Sequence, residues 1–156
     1  MNSTRTASNG FTGIIILGAI GGLAGMIAMD LVMVIEFLIT GKPLNTYLEL
    51  IGSVLGGGVS LGVVLHMLLS LFLGLLFVMA VYKIGILRIT TIRRGVILGF
   101  LAGALTIVGC VPFAIITDVP ITEILGFSTI PHLIFGTVCG LVFGYKLRTP
   151  IQKTNR

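Results

Sequence analysis

An all-helical membrane fold with four spans follows from three observations. The 156 residues are 56% apolar and only 10% charged, against about 25% charged in a typical soluble domain, and the mean hydropathy is +1.16. The apolar residues gather in a few runs of about twenty, each long enough at about 1.5 Å per residue to cross about 30 Å of hydrocarbon. None of the runs alternates with period two as a membrane β-strand does. A water-soluble chain of this size has no way to hide so much apolar surface. The expected architecture is an integral membrane four-helix bundle forming a single transmembrane domain over residues 1–156.

The elements follow in order. Residues 1–10 are mostly Ser, Thr and Asn with Arg5, and read as a short flexible tail. The first helix is expected over about 13–39. It is far longer than the h-region of about 7–15 residues in a cleaved signal peptide, so it reads as a retained helix. Residues 41–60 form the longer loop, with a mildly amphipathic stretch from Leu44 to Leu55 suited to a short interfacial helix. The second helix is expected over about 61–82, followed by a short basic loop, 83–94. The third covers about 95–116. A polar loop, 117–129, then carries Asp118, Pro120 and Glu123, and the fourth helix covers about 130–147. There Pro131 suits a helix start, because Pro is favoured in the first turn.

Orientation follows from the basic residues. Nine of the ten Lys and Arg fall in the N-terminal tail, the 83–94 loop and the C-terminal tail: Arg5; Lys83, Arg88, Arg93 and Arg94; Lys146, Arg148, Lys153 and Arg156. Only Lys42 lies on the other side. Both termini are therefore expected in the cytoplasm, in a multi-pass protein of the cell membrane. The basic side suits anionic lipid headgroups. Nothing offers a soluble platform for nucleic acid. With no Trp present, any aromatic belt must use Tyr or Phe.

The chain reads as two helical hairpins, 13–82 and 95–147. His66, Ser70, Gly74 and Phe77 share their spacing with His132, Gly136, Gly140 and Phe143, and Leu23-Ala24-Gly25 matches Leu101-Ala102-Gly103. Two helices per unit give both copies the same topology, so a pseudo-two-fold along the membrane normal is expected. Small residues spaced by four let helix backbones approach closely in lipid. Gly18, Gly21, Gly22 and Gly25 form one such series, Gly95, Gly99 and Gly103 a second, and Gly136, Gly140 and Gly144 a third. Spacing alone does not say whether they meet one another or another subunit.

Ionisable groups at membrane depth cost about 2.5–3.5 kcal/mol on insertion scales, so each asks for a reason. Asp30, Glu36, His66 and His132 all fall toward the non-cytoplasmic side, with Asp118 and Glu123 in the adjoining loop. Asp30, nearest the bilayer centre, has no basic partner on its own helix. Asp30, His66 and His132 could hold a transition metal; two facing histidines could ligate haem; a carboxylate–histidine chain could relay protons. Plain fastening of helix ends by hydrogen bonds fits as well. Met26, Met29 and Met33 flank Asp30 on one face, a stripe that suits packing more often than copper. Cys110 and Cys139 sit in apolar runs without a CxxC spacing and read as packing residues.

The Gly-rich helices, with His-x3-small-x3-Gly at His66 and His132, resemble small uncharacterised four-helix membrane proteins of prokaryotes. That resemblance implies a four-helix fold and no particular chemistry. The Ile-rich runs and short loops also resemble auxiliary subunits of archaeal membrane complexes, including those around copper monooxygenases and respiratory enzymes. No nucleophile–base motif, phosphate loop or soluble catalytic domain is present. The expected function is a non-catalytic auxiliary subunit of a larger membrane complex, without a cofactor of its own, packed against other integral membrane subunits. The alternative is a small ion, proton or metal transporter acting as a homo-oligomer through Asp30, His66 and His132, with copper or haem as the cofactors to consider.

Overall fold

The computed structural model describes residues 3–147, with side chains from residue 11 onward. Arg148, Lys153 and Arg156, and the side chain of Arg5, lie outside the described residues. The element order is α1 (Ser3–Thr40), α2 (Thr46–Ser53), α3 (Val59–Lys83), a 3-10 turn (Gly85–Leu87), α4 (Ile92–Thr117) and α5 (Ile121–Leu147). Phe11–Thr40, Val59–Lys83, Ile92–Thr117 and Ile121–Leu147 are long and apolar enough to cross a membrane.

Two boundaries differ from the sequence reading. Residues 3–10 continue α1 instead of forming a tail; once a helix is nucleated, each added residue is fixed for a hydrogen bond of its own. The fourth span begins at Ile121, not near residue 130, which places Glu123 in its first turn and Pro131 in its interior. Asp118 ends α4 in the left-handed conformation with φ 53°. The Pro120 carbonyl then accepts from the backbone N–H of Glu123 and Ile124, which starts α5 within three residues. An interior proline is tolerated here because neighbouring helices can satisfy the carbonyl it frees.

The turns have local causes. Gly41 and Gly56 adopt φ of 70° and 74°, which L side chains rarely take. Thr91 caps α4 by accepting from the Arg94 N–H at 3.1 Å. The Arg94 guanidinium donates to the Ile86 carbonyl at 2.5 Å and folds the basic turn onto the helix start.

The spans pack in a row: α3 against α1, α1 against α5, and α5 against α4, with α2 laid on α3. Val78, Cys139 and Phe143 are fully buried along this row. The helices meet through glycine. A Cβ on Gly74 would strike the Gly18 carbonyl and the Gly22 backbone; one on Gly140 would strike the Gly95 carbonyl and the Gly99 backbone. Gly103 lies against the His132 carbonyl, Gly136 against Gly99 and Gly103, and Gly144 against Ile92. Gly21 and Gly25 instead face α5, receiving Phe143 and Phe135 with Cys139. Every glycine in the three series thus has a neighbour within this chain. In lipid the gain from such contacts is van der Waals packing, not water release.

The glycine contacts also set the register between the hairpins. Gly74 corresponds to Gly140, and Gly18 and Gly22 correspond to Gly95 and Gly99. The Leu-Ala-Gly likeness between α1 and α4 is therefore one residue out of step with the packing. The hairpins match, but their junction does not: a two-fold would pair the α1–α5 contact with an equal α3–α4 contact, and α3–α4 is not among the extensive ones.

Candidate functional site

Asp30 sits ten residues from the α2-side end of α1, about 15 Å into the span at helical rise. His66 lies seven residues into α3 and is buried against α1. Their side chains meet, His66 Nε2 to Asp30 Oδ1 at 2.9 Å. The Tyr47 hydroxyl of α2 donates to the same oxygen at 3.2 Å. A carboxylate oxygen only accepts, so both partners donate to it and His66 carries its hydrogen on Nε2. The Tyr47 and His66 rings stand edge to face at 5.6 Å. Tyr47 in turn packs on Phe37, with centroids 5.9 Å apart. Burial, and then the Asp30 charge, push the Tyr47 phenol well above its ordinary value, so it stays a donor. α2 is thereby fastened over a carboxylate–imidazole pair at membrane depth.

His132 belongs to a different constellation. Because α5 starts at Ile121, His132 lies eleven residues into the helix, not at its start. Its Nδ1 donates to the Ser128 carbonyl at 2.7 Å, which leaves Nε2 as the bare nitrogen of a neutral ring. That nitrogen faces Cys110 Sγ of α4 at 3.7 Å. Each imidazole is thus engaged within its own hairpin. The structure joins Asp30 to His66 by a hydrogen bond, while His132, near enough to His66 for their charges to interact, makes its hydrogen bonds elsewhere; among the described residues no three His, Cys, Asp or Glu side chains are grouped to hold one metal ion. The physical reason is topological: α3 and α5 each pack on α1, and their histidines turn to nearer partners. Met29 and Met33 are buried in the core beside Phe37.

Sequence reasoning passed over two features. Tyr47 lies in the short amphipathic segment, and only the fold reveals that it reaches Asp30. Cys110 reads as a packing residue until the corrected register is applied. Under that register His132 matches His66, while the position matching Asp30 is Ile107. His132 therefore lacks a carboxylate and faces a thiol instead.

Nearer the helix ends, Lys42 Nζ meets Glu123 Oε1 at 3.0 Å and lies 5.6 Å from the Phe127 ring centroid. This contact ties the α1–α2 turn to the start of α5. Glu36 Oε2 lies buried without a hydrogen-bond partner in the same region.

Two glycine-packed hairpins in a row, each with a histidine held at depth, define a multi-pass α-helical membrane protein. The chain matches over residues 13–154 the model of a family of unknown function, DUF6789. It belongs to that family. Neither the curated proteins nor the solved structures provide a match.

Proposed function

We propose that this chain is a non-catalytic subunit of the cell membrane that assembles side by side with other integral membrane chains. The observation that supports this reading is the open row of spans. Among the described residues α4 has a single extensive neighbour, α5, and presents Leu101, Leu105, Val108 and Ile115 outward, with Leu105 72% exposed. Apolar side chains there meet lipid or another helix equally well, and lateral assembly in lipid needs close-fitting shape, not hydrophobicity. The basic turn and tail orient the chain with both termini in the cytoplasm, where they face anionic headgroups. The GxxxG series serves packing within the chain. Purification from native membranes in mild detergent, with a photo-crosslinker at Leu105, tests the reading. A stoichiometric larger partner crosslinked there supports it; a chain that runs alone and crosslinks only to lipid overturns it.

A second reading has its own support in Asp30, His66 and Tyr47. A carboxylate–imidazole pair at membrane depth is the type of group that relays protons, so a small proton-coupled carrier acting as a homo-oligomer is the rival. Flux in reconstituted vesicles that depends on pH and is lost with Asp30→Asn supports the carrier and counts against the subunit.

A further inference from the structure

We propose that Cys110 and His132 form a site for a thiophilic closed-shell metal ion of the cuprous type, separate from the Asp30–His66 pair. The geometry comes first. A thiolate sulfur and an imidazole nitrogen that share one ion at about 2.3 and 2.0 Å stand about 3.5–4.3 Å apart as the angle opens from tetrahedral to linear. Cys110 Sγ and His132 Nε2 stand 3.7 Å apart. The imidazole is already turned for the task, since its Nδ1–H is held by the Ser128 carbonyl at 2.7 Å. A ligating histidine usually shows this arrangement, with the far nitrogen fixed by a carbonyl or carboxylate.

An independent observation comes from Ser128 itself. Its residue is 4% exposed, and its buried hydroxyl has no partner other than the weakly accepting Cys110 thiol beside it. A buried hydroxyl left unpaired is costly. A thiolate is a far better acceptor than a thiol, so deprotonation of Cys110 on metal binding strengthens the one contact open to this hydroxyl. The Thr106 carbonyl, 3.7 Å from Cys110 Sγ, accepts from the neutral thiol, a weak contact that ion binding gives up.

Each helix also carries a proline close to the pair. Pro112 lies two residues beyond Cys110 in α4, and Pro131 lies directly before His132 in α5. Each removes the backbone donor to the carbonyl four residues earlier, those of Val108 and Phe127. Broken backbone pairing at membrane depth is tolerated where it is buried or lines a site.

The class of ion follows from the donors. One thiolate and one imidazole are soft to borderline ligands and select Cu(I) or Zn(II) over hard cations. Structural zinc takes four ligands, and only two protein donors converge here. Cu(I) accepts that low number. Binding is a simple exchange: the Cys110 S–H proton leaves to solvent, the sulfur and His132 Nε2 each donate a pair to the ion, and no electron is transferred.

The test uses the full chain in detergent, reduced and stripped with a chelator, then titrated anaerobically with Cu(I) against a chromogenic chelator. One Cu(I) per chain is expected, with release of about one proton and an ultraviolet sulfur-to-copper band. Bound Cu(I) is expected to protect Cys110 from a membrane-permeant maleimide in the wild-type chain. Cys110→Ser is expected to abolish binding and His132→Gln to weaken it about 10–100-fold, as for losses around other metal centres. Ser128→Ala is expected to weaken it about tenfold, while Cys139→Ser binds normally. The wild-type protection experiment needs no variant to fold. Unprotected Cys110, binding unchanged in Cys110→Ser, or tighter binding of Zn(II) than of Cu(I) overturns the proposal.

Discussion

The His66 imidazole and the Asp30 carboxylate, 36 residues apart in the chain, meet at 2.9 Å across α1 and α3. The pair also receives the Tyr47 hydroxyl at 3.2 Å, so one oxygen fastens three elements. Hydrogen bonds between membrane helices contribute about 0.6–2 kcal/mol. A double-mutant cycle of Asp30→Asn with His66→Gln is expected to return a coupling in that range, read from unfolding in mixed micelles. Additive single effects would show that the contact contributes nothing. Asp30→Leu is expected to leave insertion intact while weakening assembly or activity, and wild-type behaviour in both assays would remove Asp30 from any functional role.

Tyr47 provides a pH prediction. Its phenol is raised by burial and by Asp30 from an ordinary value of 10.0. The folded state therefore holds this proton more tightly than the unfolded one. The docking of α2 is fully present below about pH 10 and is lost as pH rises above it. Proteolysis of the 41–58 segment is expected to be flat from pH 6 to 9 and to rise above about pH 10. Tyr47→Phe is expected to abolish that rise. A rise that persists in Tyr47→Phe would assign it elsewhere.

The glycine seam separates sites that look alike in sequence. A Cβ at Gly99 or Gly140 meets opposing backbone, whereas one at Gly109 meets nothing within 4 Å. Gly99→Ala and Gly140→Ala are expected to destabilise by about 1–3 kcal/mol, the usual cost of overpacking. Gly109→Ala is expected to stabilise by about 0.5–1 kcal/mol through helix propensity. Thermal unfolding of the three variants in one detergent decides this, and equal losses at all three would refute the seam.

The Lys42–Glu123 pair is exposed on both sides, at 40% and 51%. Exposed pairs contribute about 0–1 kcal/mol. Lys42→Met is expected to shift stability by less than about 1 kcal/mol and to lose any salt dependence of the wild type. A larger drop would mean that the contact is desolvated in the membrane-bound protein.

The spans are legible in sequence because apolar length is a local property, and α1, α3 and α4 end within a few residues of where hydropathy places them, apart from the N-terminal extension of α1. α5 is the exception. Glu123, Ser128 and Thr129 lower its apolar character, its mean hydropathy of 1.6 is the lowest of the four, and Pro131 imitates a start signal. The site is harder to read. Asp30 and His66 stand out as costly groups, but which histidine reaches Asp30 depends on helix register across three elements. The absence of an acid at Ile107, the repeat position of Asp30, is the one sequence clue that His132 needs a different partner. It is visible only in the register set by Gly74 and Gly140, not in the one suggested by Leu-Ala-Gly.

The row of spans has a mechanical consequence. Because α4 touches the rest of the molecule chiefly through α5, and glycines bring the two backbones into direct contact along the seam, the pair is closely coupled. A tilt imposed on α5 by the α1 side, or by the Lys42 tether at its tip, carries α4 along as a lever arm. Whatever neighbour rests on α4 would then sense events at the far hairpin without touching it.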